Sequence, residues 1–135
     1  MNAFSYDEIT LGQEASFTAA IGPDAMNAFA ELTGDRNPRH TEQGVVYGML
    51  TGSFLSTLAG MYLPGKYALI QSVRLEFVSP IVLSATGEKT PVVISGVVTD
   101  KEDRFRLLSL KVSVSGEDGT KFLFGSMKVK VTDDA

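Results

Sequence analysis

The 135-residue chain contains no cysteine and only one histidine, His40. Without cysteine there can be no disulfide, no thiolate ligand for zinc and no thiol nucleophile. A single histidine also excludes the histidine clusters that bind transition metals. Any chemistry must therefore come from carboxylates, hydroxyl groups, His40 or the dipoles of the backbone.

The chain also lacks a block of Lys and Arg, and its formal net charge at pH 7 is -4. Because binding to phosphates requires a basic face, nucleic acid is not an expected partner. The first ten residues lack the basic and then apolar segments of a secretory signal, so we predict a cytoplasmic location.

The composition is otherwise that of an ordinary globular protein, with 44% hydrophobic and 21% charged residues. A chain of this length can bury a substantial apolar core without disulfides or metals. We find no repeat or linker, and we therefore predict one domain spanning residues 1–135.

The N-terminal third predicts a strand followed by a helix. Apolar and polar side chains alternate in residues 14–21, which is typical of a strand. Residues 24–33 have apolar side chains at helical spacing, with Pro23 suited to the first turn and Gly34 to the C-terminal cap.

Residues 43–65 contain no charged side chain. Such a run predicts either a membrane span or a buried helix. Its many Gly, Ser and Thr residues and the lack of membrane anchors at its ends favour the buried helix. We place this central helix at residues 46–63, ended by Pro64 and Gly65.

The C-terminal half predicts only strands, at residues 67–78, 90–99, 105–115 and 121–132. Turn sequences at residues 99–104 and 115–120 predict that the strands on either side pair in antiparallel fashion. The last four residues, 132–135, are expected to be a frayed tail. One antiparallel sheet and one apolar helix bury their apolar surfaces best if the sheet wraps around the helix. This arrangement is the α+β hotdog fold.

The loop between the two predicted helices, residues 34–40, reads GDRNPRH. Pro38 disfavours a helical Asn37, so this loop can hold Asp35 and His40 close together. His titrates near neutral pH and Asp can be tuned by burial, so the two can move a proton in either direction. Asn37 is expected to bond to nearby backbone. The alternative is a helix cap and turn without chemistry.

This segment, FAELTGDRNPRH at residues 29–40, and YGML at residues 47–50 resemble the MaoC-like dehydratases and (R)-specific enoyl-CoA hydratases. The resemblance covers nearly the whole chain. The family segment G-D-x-N-P-x-H is matched at each defining position, by Gly34, Asp35, Asn37, Pro38 and His40. The resemblance implies a reversible syn addition of water across the 2,3 double bond of an enoyl thioester, with Asp35 and His40 holding and activating the water.

The resemblance also assigns the other site residues. The backbone N–H of Gly48, at the start of the central helix, would polarise the thioester carbonyl, although this glycine could equally serve close packing of helix and strand. The predicted substrate-binding residues are Asn37, Tyr47 and Ser56. For Ser56, a bond to a backbone carbonyl one turn back is the simpler alternative.

Three features depart from the family pattern. Only eight positions separate His40 from Gly48, where the family usually carries a longer overhang. Tyr47 stands where a His is common, and Arg39 replaces a usually apolar residue. Substrate fit is therefore less well defined by the resemblance than the Asp35 and His40 pair.

The resemblance implies an acyl-CoA substrate, no metal or other cofactor, and a homodimer that pairs edge strands into a ten-stranded sheet. An acyl group on acyl carrier protein and a non-catalytic thioester-binding protein stay open as alternatives. A hotdog thioesterase is disfavoured, because such enzymes typically use a carboxylate on the central helix and residues 46–63 contain none.

Overall fold

The computed structural model describes residues 1–134. After a short 3₁₀ turn, a first strand leads into three helices, the last of which continues as one π-helical turn, and four further strands complete the fold. The bounds are β1 Glu14–Ile21, α1 Pro23–Thr33, α2 Pro38–Thr41, α3 Gly48–Thr57, the π-helical turn Leu58–Tyr62, β2 Ala68–Phe77, β3 Thr90–Glu102, β4 Leu107–Ser115 and β5 Lys121–Val131.

The five strands form one antiparallel sheet in the order β1-β3-β4-β5-β2. Alternate side chains of β3, β4 and β5 are buried, which is the period expected of strands with one covered face. Leu55 and Leu58 of the central helix belong to the same core and are at most 2% exposed. At Gly96 of β3 an added Cβ would lie 2.8 Å from Leu58 Cδ2, so this glycine lets helix and sheet approach. The α+β hotdog fold predicted from the sequence is confirmed.

The central helix starts two residues later than predicted. The N–H of Val46 donates to the carbonyl oxygen of Ile81 at 2.8 Å, so Val46 pairs with another segment instead of opening a helix. Tyr47 takes the N-cap position with φ -57° and ψ 128°, and Gly48 is the first helical residue. Within residues 1–134 no helix has the length and hydropathy to span a membrane. A cytoplasmic location stays a prediction.

The charged turn predicted at residues 99–104 is misplaced. A bulge after Val98 lets β3 continue to Glu102, and the turn to β4 lies at residues 103–106. Lys101 stabilises this extension, because its Nζ donates to the carbonyl oxygens of Tyr6 at 2.9 Å and Ile9 at 2.7 Å. Asp100, Lys101 and Glu102 therefore lie at the end of β3, and Asp103 and Arg104 lie in the turn.

The prediction of a frayed C-terminal tail is wrong for Thr132 and Asp133. The N–H of Thr132 donates to the carbonyl oxygen of Tyr67 at 2.8 Å, and the carboxylate of Asp133 accepts a hydrogen bond from Arg106. These contacts attach the end of β5 to the neighbouring β2 strand and to the turn before β4. Ala135 lies outside the described residues.

Candidate active site

Local hydrogen bonds shape the loop between α1 and α2. Helix α1 ends at Gly34, whose φ of +77° is the left-handed conformation that glycine favours. The carboxylate of Asp35 then accepts from the N–H of Asn37 at 3.1 Å, and the side chain of Asn37 accepts from the N–H of Arg39 at 3.0 Å. The expected bond from Asn37 to nearby backbone is thereby confirmed. It caps the one-turn helix α2, which the sequence did not predict and which carries His40.

His40 is half-buried and is fixed by one short contact. Its Nδ1 lies 2.7 Å from the carbonyl oxygen of Val45. A carbonyl oxygen can only accept a hydrogen bond, so Nδ1 is the donor in this contact and Nε2 is the ring nitrogen left for other partners. The contact with Val45 therefore sets the orientation of the imidazole ring.

Tyr47 connects the loop to the central helix. Its side chain is 3% exposed, and its hydroxyl donates to the carbonyl oxygen of Asp35 at 2.6 Å. Its ring stacks on the His40 imidazole with ring centroids 4.1 Å apart. It also packs against the ring of Phe29, with centroids 4.7 Å apart. The hydroxyl of Tyr47, a residue predicted to bind substrate, is thus engaged with the backbone of Asp35.

Gly48 opens α3 beside the ring of Phe77 on β2. A Cβ at this position would lie 2.9 Å from Phe77 Cε1, so the glycine does permit close packing of helix and strand. Within residues 1–134 its backbone N–H has no acceptor, as expected for the first residue of a helix. The position of Gly48 is therefore compatible with both roles considered for it, close packing of helix and strand and a free backbone donor.

His40 adjoins two cavities. The first, of about 330 Å³, is also lined by Gly48, Thr51 and Phe77, so it contains both the imidazole and the start of α3. The second, of about 550 Å³, lies between α1, α2 and the segment before β3, and Tyr47 contributes to its wall. The imidazole therefore lies between two partly open cavities, one beside Gly48 and one between α1, α2 and the segment before β3.

The remaining predicted residues lie farther from these cavities. The side chains of Asp35 and Asn37 are exposed on the loop, and Ser56 is exposed on α3. Within the described chain, the Asp35 carboxylate makes no hydrogen bond or ion pair with His40. The predicted roles of Asp35, Asn37 and Ser56 in substrate or water binding stay predictions.

Two residues of the site were not predicted. Val45 supplies the carbonyl oxygen that orients His40, and a backbone acceptor leaves no trace in the sequence. Thr51 is 4% exposed and lines the cavity of His40 and Gly48. Its position one helical turn after Gly48 is a signal that could have identified it.

No model of a known protein family matches this chain. It is 30% identical over 107 residues to the (R)-specific enoyl-CoA hydratase of Rhodospirillum rubrum, covering 72% of this chain and 74% of that protein. The chain belongs to the MaoC-like, (R)-specific enoyl-CoA hydratase family. It is therefore a hydro-lyase of the hydratase and dehydratase type.

Solved structures agree with this assignment. The (R)-hydratase of A. caviae, described as involved in PHA biosynthesis, superimposes with a TM-score of 0.83 at 27% identity, covering 91% of this chain and 97% of that one. The unliganded R-hydratase PhaJ1 of Pseudomonas aeruginosa has a TM-score of 0.84 at 24% identity and covers 94% and 84% of the two chains. The second likeness supports the hotdog fold alone.

No metal centre accompanies the site in the part of the chain that is described. Among residues 1–134, no three His, Asp or Glu side chains lie together in a way that could hold a metal ion. That the reaction requires no cofactor stays a prediction, based on the acid, base and hydrogen-bond donor that hydration needs.

Proposed function

We propose that this hydro-lyase adds water to 2-enoyl-CoA thioesters, giving (R)-3-hydroxyacyl-CoA, and catalyses the reverse dehydration. The names of its relatives support the substrate class. The observation that carries the proposal is the contact between His40 Nδ1 and the Val45 carbonyl oxygen, which leaves Nε2 available as a base, together with the cavity that His40 and Gly48 both line.

In the proposed reaction, Asp35 and His40 hold one water molecule on one face of the double bond. The water oxygen forms a bond to C3 while the pair accepts one of its protons, and the electron pair of the C2–C3 double bond moves toward the thioester carbonyl. The pair then returns a proton to C2 on the same face, so the sum is addition of H and OH. Neither group changes its protonation state over the complete cycle.

Gly48 is proposed to stabilise the enolate that forms during this addition. The first N–H groups of a helix lack partners within the helix, and the helix dipole adds positive potential at that end. A fixed backbone donor of this kind typically contributes ~10²–10³ in rate when aimed at a developing oxyanion. The cavity that Gly48 shares with His40 supports this role.

A homodimer that joins two β2 strands is part of the proposal. Strand β2 is an edge of the sheet, and its Leu69, Val73 and Phe77 are 46–53% exposed. Met49, on the adjacent first turn of α3, is 65% exposed. Apolar side chains along an unpaired edge are a liability that pairing with a second copy removes. Because Phe77 also lines the cavity beside Gly48, this interface would enclose the site.

The direct test is to mix the purified protein with crotonyl-CoA and follow the loss of the enoyl thioester absorbance. We expect rapid hydration to 3-hydroxybutyryl-CoA of the R configuration, and a loss of ~10²–10⁴ in rate for His40→Ala. The same acyl group on acyl carrier protein is assayed in parallel. Preference for that carrier would replace the CoA assignment, and negligible rates on both would contradict the proposed function.

A further inference from the structure

We infer that Tyr47 is a positioning residue that sets the geometry of Asp35, His40 and Gly48 together. The inference rests on the proposed function, because it assigns a task within the same site. It changes the role of Tyr47 from the predicted contact with substrate to a contact with the catalytic groups.

The first contact is made by the Tyr47 hydroxyl. It donates to the Asp35 carbonyl oxygen at 2.6 Å, and this oxygen has no other donor within residues 1–134. The Asp35 side chain is exposed and bonds only to the N–H of Asn37 two residues away. Among residues 1–134, the bond from the buried Tyr47 hydroxyl is therefore the only hydrogen bond that ties Asp35 to a residue more than two positions away.

The second contact is made by the Tyr47 ring. It lies against the His40 imidazole with an interplanar angle of 27° and a centroid separation of 4.1 Å. Phe29 of α1 packs against the same tyrosine ring, so Tyr47 is held in turn by the first helix. The hydrogen bond to Val45 fixes the Nδ1 end of the imidazole, and the stacked ring restricts its tilt. Together they define where Nε2 points.

The third contact follows from the position of Tyr47 in the chain. It is the N-cap residue of α3, and its carbonyl oxygen accepts from the N–H of Thr51 at 3.1 Å. The next residue is Gly48, whose N–H is the proposed oxyanion donor. A movement of Tyr47 would therefore displace the base, the carboxylate segment and the donor at once. Misplacement of reacting groups by about 1 Å can cost ~10² in rate.

Two substitutions separate the hydroxyl from the ring. Tyr47→Phe removes the bond to Asp35 and keeps the stacked ring, whereas Tyr47→Leu removes both. Tyr62→Phe is a matched control, since the Tyr62 ring stacks on Phe17 with centroids 4.9 Å apart and its hydroxyl has no hydrogen-bond partner within residues 1–134. We expect kcat to fall ~10–100-fold in Tyr47→Phe with KM changed less than about twofold, and further in Tyr47→Leu, while Tyr62→Phe keeps wild-type values.

A spectroscopic measurement distinguishes positioning from general stability. His40 is the only histidine, so its imidazole signals in an NMR spectrum are unambiguous. Tyr47→Phe should preserve the imidazole shifts caused by the stacked ring but move the backbone amide signals of residues 35–37. Tyr47→Leu should move both sets. The thermal midpoint of Tyr47→Phe should lie only modestly below that of Tyr62→Phe, as expected for the loss of one hydrogen bond.

The outcomes separate this inference from the proposed function. If wild-type protein hydrates no thioester, the proposed function fails, and the amide signals of residues 35–37 alone decide whether Tyr47 holds the loop. Unchanged signals there in Tyr47→Phe would overturn the inference. If the wild type is active, the inference is also overturned when Tyr47→Phe keeps the wild-type kcat, whether or not its KM rises.

Discussion

The carbonyl oxygen of Val45 lies 2.7 Å from Nδ1 of His40, five residues earlier in the chain. Val45 is itself held in place, because it forms an isolated β-bridge with Val82 and the next N–H, of Val46, donates to Ile81 at 2.8 Å. The orientation of the imidazole is thus tied to the segment that follows β2. In the proposed reaction the base is therefore fixed before any substrate arrives, which reduces the reorganisation needed during reaction.

The first prediction concerns Asp35→Asn. The amide oxygen of Asn can still accept from the N–H of Asn37, so the loop should keep its shape while the negative charge is lost. We expect the rate of crotonyl-CoA hydration to fall by ~10²–10⁴ with little change in thermal midpoint. Asp100→Asn, at an exposed position on β3, is the matched control and should keep its activity. Near-normal turnover by Asp35→Asn would remove Asp35 from the mechanism.

The second prediction separates the two readings of Gly48. In a Phe77→Leu background, which relieves the 2.9 Å contact, Gly48 is replaced by either Ala or Pro. Ala keeps the backbone N–H. Pro lacks it but fits the first position of a helix, and Tyr47 already has the extended conformation that a following Pro requires.

We expect the Ala variant to retain the activity of the Phe77→Leu background and the Pro variant to lose ~10²–10³ in kcat. Circular dichroism and thermal unfolding check that both remain folded. Equal activity of the Ala and Pro variants would show that Gly48 serves packing alone.

The strands were predictable from the sequence because burial alternates along them. Fully buried side chains alternate with more accessible neighbours on β3, at Val92 and Ile94, and on β4, at Leu108 and Leu110. The order of the strands was not predictable in detail, since β1 pairs with β3 and β2 with β5 across long separations. Local patterns carry no information on such pairings.

In the site, too, contacts between near neighbours in the chain were predictable and contacts between distant residues were not. The bond from Asn37 to the N–H of Arg39 spans two residues and follows from local turn preferences, so the sequence predicted it. The bond from Tyr47 to Asp35 spans twelve residues and depends on how α1, α2 and α3 pack. Sequence reasoning identified Tyr47 through the family resemblance, as a substrate-binding residue, but could not show its bond to Asp35.

The third prediction concerns the proposed dimer. Val73→Lys places a charge at the exposed apolar edge of β2, whereas Thr18→Lys places one on β1, at the opposite edge of the sheet. An unpaired charge buried in an interface costs about 3–5 kcal/mol, so the dissociation constant should rise at least ~100-fold for Val73→Lys only. Sedimentation over a range of concentrations measures this. A monomeric wild type, or equal effects of the two variants, would contradict the β2 interface.

The fourth prediction concerns the attachment of the C-terminal segment. A hydrogen bond from Arg106, together with its positive charge, holds the pKa of Asp133 below its ordinary value of 3.8. A carboxyl whose pKa is lowered in the folded state contributes stability that is fully present above pH 4 and is lost as the pH falls through the folded value. Asp133→Asn should therefore lower the free energy of unfolding at pH 7.

The difference between wild type and Asp133→Asn should shrink as the pH falls below 4, because the wild-type carboxyl then becomes protonated too. Asp134→Asn is the control, since this carboxylate lies 3.8 Å from Arg106 Nε with a side chain that is 56% exposed. Exposed pairs contribute little, so this variant should resemble wild type at every pH. Urea unfolding at pH 7, 4 and 3 gives the comparison. A difference for Asp133→Asn that does not depend on pH would show that its charge is not what attaches the segment to Arg106.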